Sequence, residues 1–185
     1  MRIVVVGTSG AGKTTMAKSI ASMLNLPCIE LDRLPWGPNW EALTETNPDE
    51  FVRTVSAAIS ANSWVSDGNY AVVRDLIWRR ATHLVWLDYG RPLIMYRVIK
   101  RSITRAFDQT ELWAGNKEDW RRWLRPSHPI RWAWSTWRER RSRFEHLLNG
   151  EQYNHLAVLR LQTPRDTDEV VDQLRLSKSH EIRKI

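Results

Sequence analysis

Apolar residues along this chain fall into short β-branched runs that alternate with stretches of helical spacing. Arg2-Ile3-Val4-Val5-Val6 predicts a first strand, and Thr14 to Leu24 predicts a helix with Met16, Ile20, Ala21 and Leu24 on one side. Pro27 to Leu31 predicts a second strand, after which Leu34-Pro35-Trp36-Gly37-Pro38-Asn39-Trp40 is too rich in proline for regular structure. Asn47 caps a helix with Pro48 in its first turn and a buried face of Phe51, Val55, Ala58 and Ile59. A third strand, Trp64-Val65-Ser66, runs into Asp67-Gly68-Asn69-Tyr70, and Ala71 to Arg80 is helical with Val72, Leu76 and Ile77 directed inward. His83 to Leu87 is a fourth strand ending at Asp88, and Pro92 to Phe107 a long basic helix. The region from Asp108 to Ile130 is irregular, and Arg131 to Leu148 is helical again. A fifth strand, His155 to Leu161, leads into a last helix bearing Val170, Val171, Leu174 and Leu176, with a polar ending from Ser177 that frays.

Strands alternating with helices predict an α/β fold: a five-stranded parallel sheet covered on both faces, with ligands at the carboxyl ends of the strands. Asp32, Asp67 and Asp88 all fall at such ends. The expected organisation is one domain over residues 1–176 with a polar tail at 177–185.

Between the first strand and the first helix, Gly7-Thr8-Ser9-Gly10-Ala11-Gly12-Lys13-Thr14 fits G-x-x-x-x-G-K-[ST], the phosphate-binding loop of nucleoside triphosphatases. A triphosphate needs backbone N–H groups turned inward around it, which glycines permit, and the first turn of the following helix, including Thr15, adds further amides and a positive dipole end. Lys13 supplies a cation for the β and γ phosphates, and Thr14 a hydroxyl for Mg²⁺. Asp67, after an apolar strand and before Gly68, is the preferred carboxylate to hold Mg²⁺ or its waters opposite Thr14. Asp88 has the same local setting, with a helix cap or turn residue as its alternative.

Composition narrows the picture. The single cysteine, Cys28, allows no intrachain disulfide and reads as a small buried hydrophobe. No charged-then-apolar leader precedes the first strand and no apolar run approaches a membrane span, so a cytoplasmic protein without a membrane partner is expected. The net charge is +7, yet residues 97–143 hold 13 basic and 5 acidic residues. Six tryptophans share that stretch: Trp113, Trp120, Trp123, Trp132, Trp134 and Trp137. Interleaved basic and aromatic residues suit single-stranded nucleic acid as well as triphosphate, so a nucleic-acid-binding or regulatory ATPase is the alternative function. Asn116-Lys117-Glu118-Asp119 fits the guanine-reading N-K-x-D pattern, but the segment before it is a poor strand and the match reads as coincidence.

The phosphate loop, the Asp67-Gly68 pair, Leu87-Asp88 and a basic insert before the last strand together resemble the adenylate kinase superfamily of nucleoside monophosphate and small-molecule kinases. Leu31-Asp32-x-Leu34-x-Trp36-Gly37-Pro38-Asn39-Trp40, Trp64-Val65-x-Asp67-Gly68-Asn69-Tyr70 and Trp86-Leu87-Asp88-Tyr89 are more closely similar to a bacterial group labelled DNA topology modulation proteins. The resemblance implies a three-layer P-loop fold with a five-stranded parallel sheet and a helical basic lid at about 108–143 between strands four and five. It also implies an ATP- and Mg²⁺-dependent phosphotransferase acting on a small-molecule acceptor, whose lid arginines close over the transferred group. Arg101 and Arg105 on the long helix, with Arg138 and Arg141 on the next, are the candidates.

This chain departs from adenylate kinases after the Asp-Gly pair, where Asn69-Tyr70-Ala71 replaces Phe-Pro-Arg; Arg74, one turn on, is a substitute for the missing arginine. Glu30-Leu31-Asp32 is closer to the paired carboxylates of shikimate and gluconate kinases, which makes Asp32 a candidate general base or substrate anchor. Trp36, Trp40 and Tyr70 fit either a base or an apolar acceptor.

Overall fold

A computed structural model describes residues 1–34, 43–108 and 128–182, with side chains through Ser179. Trp36, Trp40, the Asn116–Asp119 tetrapeptide and most of the expected lid lie outside the described residues.

Strand β1 spans Arg2–Gly7 and is followed by α1, Lys13–Leu24. Next come β2, Cys28–Glu30, a 3-10 turn at Leu31–Arg33, and helices α2, Leu43–Thr46, and α3, Pro48–Ala58. The chain continues through β3, Trp64–Asp67, α4, Ala71–Arg80, β4, His83–Leu87, and α5, Arg91–Phe107. Helix α6, Pro129–Asn149, β5, Ala157–Leu161, and α7, Thr167–Ile182, complete it. The five strands form one sheet in the order β2-β3-β1-β4-β5, every pair parallel. Strand β1 is therefore central, and the loop after it opens at the carboxyl edge of the sheet where α/β folds bind ligands.

Alternate residues of β1 feed two cores, as a period of two requires. Ile3 and Val5 pack with Met16, Ala17 and Ile20 of α1, Ile94 and Val98 of α5, and Val170 and Leu174 of α7. Val4 and Val6 face Phe51 and Val55 of α3, Val73 and Ile77 of α4, and Phe144 of α6. Asn47 caps α3, its Oδ1 accepting from the Glu50 backbone N–H at 3.2 Å while its Nδ2 donates to the Glu50 carboxylate at 2.8 Å.

Three details differ from expectation. Val73, not Val72, is the buried valine of α4, because Val73, Ile77 and Trp78 form the face turned to the sheet and Val72 is left 55% exposed. Cys28 is exposed, since β2 is an edge strand of three residues with only β3 beside it. Helix α7 continues past Ser177 to Ile182, where Lys178 Nζ donates to the Leu24 carbonyl at the end of α1.

Candidate phosphate and acceptor site

Residues Gly7 to Gly12 bridge β1 and α1. Gly10 has φ +83°, and a Cβ there would lie 2.2 Å from Val98 Cγ2, so only glycine lets α5 pack against the loop. Ala11 is buried and its N–H donates to the Thr8 carbonyl at 3.0 Å, closing the turn. Among the described residues no side chain caps the start of α1, and its first turn holds no acidic residue. Two other helices carry side-chain caps, α3 by Asn47 and α6 by His128, whose Nδ1 accepts from the Ile130 N–H, while α4 and α5 have none. The amides at the head of α1, those of Lys13, Thr14 and Thr15 among them, could receive an anion there.

Lys13 Nζ lies 3.5 Å from the Thr8 carbonyl, folded back along the loop. Burial pushes its ammonium below the ordinary value of 10.5; the carboxylates of Asp32 and Asp67 oppose that displacement, and Arg140 and Arg101 reinforce it. A triphosphate entering the loop would favour the charged form.

Thr14 Oγ1 donates to Asp67 Oδ2, and the other carboxylate oxygen, Oδ1, accepts from the Leu31 N–H at 3.1 Å. Asp67 is buried at the end of β3, and desolvation raises its pKa above 3.8, against the lowering effect of the Thr14 hydrogen bond. The glycine after it is required as well: Gly68 has φ +120°, and a Cβ would come within 2.9 Å of Leu31 Cβ. A hydroxyl and a carboxylate within hydrogen-bonding distance beside the loop form a hard-oxygen pair that fits Mg²⁺, which binds few protein ligands and takes the rest of its shell from water and phosphate. Among the described residues no cluster of three or more His, Cys, Asp or Glu is placed to hold a metal.

Helix α5 closes the other flank. Arg97 Nη1 donates to the Ala11 carbonyl at 2.9 Å, and Arg101 Nη2 donates to Ser9 Oγ at 3.4 Å, so two guanidiniums border the loop. Arg105 follows one turn further, half-buried. On α6, Arg138 is exposed, whereas Arg141 Nη2 pairs with Asp88 Oδ2 at 3.1 Å. Asp88 itself is held by Arg160, whose Nε and Nη2 donate to Oδ2 at 2.9 and 2.6 Å, and Glu145 joins both arginines. Trp137 Nε1 donates to the Tyr89 carbonyl at 3.1 Å, which with the Asp88 cluster ties the middle of α6 to the end of β4. The α6 arginine whose field reaches Lys13 is Arg140, whose own pKa is lowered by burial and by the charges of Arg143 and Arg74, against the opposing pull of Glu139 and Asp32.

Asp32 lies half-buried in the 3-10 turn after β2, close enough for its charge to act on both Lys13 and Asp67. Tyr70 precedes α4, edge-on to Phe51 at 5.3 Å, and Arg74, half-buried, lies over Trp78 at 5.9 Å. Three residues without a role in the sequence reading border the loop or its charges: Arg97, Arg140 and Asn69. Nothing in their local sequence distinguishes the two arginines from their neighbours; Asn69 stands in a quoted motif, but only the fold shows what it touches.

The fold is that of a P-loop nucleoside triphosphatase. Residues 3–61 match the family model described as ATPase family associated with various cellular activities (AAA), a span that contains β1, the loop and α1. Solved structures similar over their whole length include a gluconokinase from Sinorhizobium meliloti 1021, at TM-score 0.54 and 17% identity, covering 100% of this chain and 97% of that one. A shikimate kinase from Bacteroides thetaiotaomicron matches at TM-score 0.54 and 19% identity, with 97% and 98% covered. A shikimate kinase from Acinetobacter baumannii, solved with shikimate, matches at 0.53 and 18%, with 96% and 93% covered. No curated protein matches this chain. At these identities the P-loop architecture is what the neighbours share with it.

Proposed function

We propose that the protein is an ATP- and Mg²⁺-dependent phosphotransferase acting on a small hydroxyl-bearing acceptor. The observation that carries this reading is the Thr14–Asp67 pair at the head of an uncapped α1, with Lys13 alongside. The Gly7–Thr15 backbone would hold the triphosphate, and Thr14 and Asp67 would hold Mg²⁺, which supplies charge neutralisation at the β and γ phosphates when bound. Asp32, across from Lys13, accepts the proton of the acceptor hydroxyl as its oxygen bonds to the γ-phosphorus and the bond to the β–γ bridging oxygen breaks, releasing ADP. Arg97, Arg101 and Arg140 supply positive charge around the transferring group, so catalysis is positioning plus electrostatics. Arg74 and Tyr70 border the acceptor side, with Trp36 assigned there from the sequence alone.

Screening nucleoside monophosphates and small hydroxylated metabolites for acceptor-stimulated ADP release tests the proposal. Lys13→Ala is expected to abolish that release while the far-ultraviolet spectrum and melting transition persist. Turnover surviving in folded Lys13→Ala would overturn the site. Salt-sensitive binding of DNA or RNA without any acceptor-stimulated release would favour the nucleic-acid ATPase instead.

A further inference from the structure

Strands β1 and β3 pair in parallel with Val5 opposite Asp67, and the last backbone rung between them is the Gly68 N–H donating to the Val5 carbonyl at 3.3 Å. Continued by two residues, that register would set Gly7 opposite Asn69. The backbone does not continue it, because Gly68 adopts φ +120° and turns β3 away. Gly7 shares the parity of Val5, so its N–H and carbonyl point toward the place β3 has vacated. Both are satisfied there by one side chain: the Gly7 N–H donates to Asn69 Oδ1 at 3.3 Å, and Asn69 Nδ2 donates to the Gly7 carbonyl. A primary amide offers the same donor and acceptor as a peptide group, and here it stands in for the missing rung.

We infer that Asn69 is a positioning residue for nucleotide binding: its amide extends the β1–β3 ladder by one side-chain rung and fixes Gly7, the first residue of the phosphate loop. The inference rests on the nucleotide reading above. Asn69 makes no claim on the nucleotide itself. It holds the start of the loop in line with β1 and joins it to the turn that carries Asp67, so that the loop amides and the Thr14–Asp67 pair keep a common frame. Residues of other kinds lack the required pattern: alanine has neither group, and an ionised aspartate sets an oxygen against the Gly7 carbonyl.

That pattern supplies the test. Dissociation constants for Mg²⁺–ATP would be measured at pH 8 for the unaltered protein, Asn69→Ala and Asn69→Asp. Asn69→Ala is expected to bind about tenfold more weakly, the effect of roughly one net hydrogen bond. Asn69→Asp, which sets a second oxygen against the Gly7 carbonyl, is expected to bind at least as weakly. Hydrogen exchange at the Gly7 amide, read without nucleotide, should quicken in Asn69→Ala while that of Val85 in β4 holds. Binding by either variant within twofold of the unaltered protein would overturn the inference and leave the nucleotide reading standing. Should Asn69→Ala fail to fold, the aspartate variant against the unaltered protein carries the same comparison. An unaltered protein that binds no Mg²⁺–ATP would instead remove the nucleotide reading, and this inference with it.

Discussion

Replacing Asp88 by asparagine removes the charge at the centre of the cluster that ties α6 to the sheet. Asp88 is buried, with 3% of its side chain exposed, and its Oδ2 accepts two N–H groups from Arg160 and lies 3.1 Å from Arg141 Nη2. Breaking a buried ion pair by deleting one partner costs about 3–5 kcal/mol, because the other charge is left without compensation. Here the arginines are 35% and 36% exposed, and Glu145 remains beside both, so water and that carboxylate recover part of the loss. About 2–3 kcal/mol remains, a fall in Tm of roughly 5–10 °C for a chain of this size. Thermal unfolding followed by circular dichroism, with Asp88→Asn, Arg160→Met and the pair combined, measures it. The double variant should fall short of the sum of the singles by about 1–2 kcal/mol, since the second change removes a charge the first had stranded. Strict additivity, or a shift in Tm below about 1 °C for Asp88→Asn, would refute the view that this carboxylate organises the junction.

Asp67→Asn tests a conflict between stability and function. A carboxylate whose pKa is raised by burial makes the folded state bind protons more tightly than the unfolded chain, so its contribution falls as pH climbs from the unfolded value through the raised folded one. The asparagine variant should lack that slope and melt higher than the unaltered protein at neutral pH without ligand, while losing at least tenfold in Mg²⁺-dependent ATP affinity; a lower melting point at neutral pH would contradict the assignment. The lowered pKa of Lys13 has the opposite sense, adding stability as pH rises through the window between its folded value and the ordinary 10.5. Since a triphosphate favours the ammonium, ATP binding within that window should take up a proton, seen by calorimetry in buffers of different ionisation enthalpy, and no uptake at any alkaline pH would place the phosphates elsewhere. Gly10→Ala forces a Cβ into Val98 at a positive φ and should cost about 2 kcal/mol or more together with ATP binding, and a variant as stable as the parent would contradict the close approach of α5.

Much of the fold was legible in the sequence because each element announces itself locally. The fourth strand and the helix after the third agree residue for residue with His83–Leu87 and Ala71–Arg80. Apolar run length and spacing are the signals that matter for fully buried parallel strands. Where reading failed, the deciding facts were not local. Choosing between Val72 and Val73 needs the rotation of α4 against the sheet, and the exposure of Cys28 needs the knowledge that β2 lies at an edge. Motif and strand end single out the phosphate loop and the Asp67 carboxylate, and the structure brings Thr14 and Asp67 into contact across 53 positions of chain. The arginines were less readable: a basic helix supplies many, and only packing distinguishes Arg141, engaged by Asp88, from Arg140, whose charge reaches Lys13. Asn69 shows the same limit, its role depending on where a neighbouring strand stops pairing.

The central claim is that the Gly7–Thr15 backbone holds the triphosphate of a nucleotide with Thr14 and Asp67 at its metal. A crystal structure with Mg²⁺ and a non-hydrolysable ATP analogue tests it most directly. The account predicts phosphates along the loop amides, Lys13 turned from the Thr8 carbonyl toward them, and the Thr14–Asp67 hydrogen bond broken in favour of the metal and its waters. A nucleotide bound at another surface, with that hydrogen bond intact and the head of α1 unengaged, would contradict it.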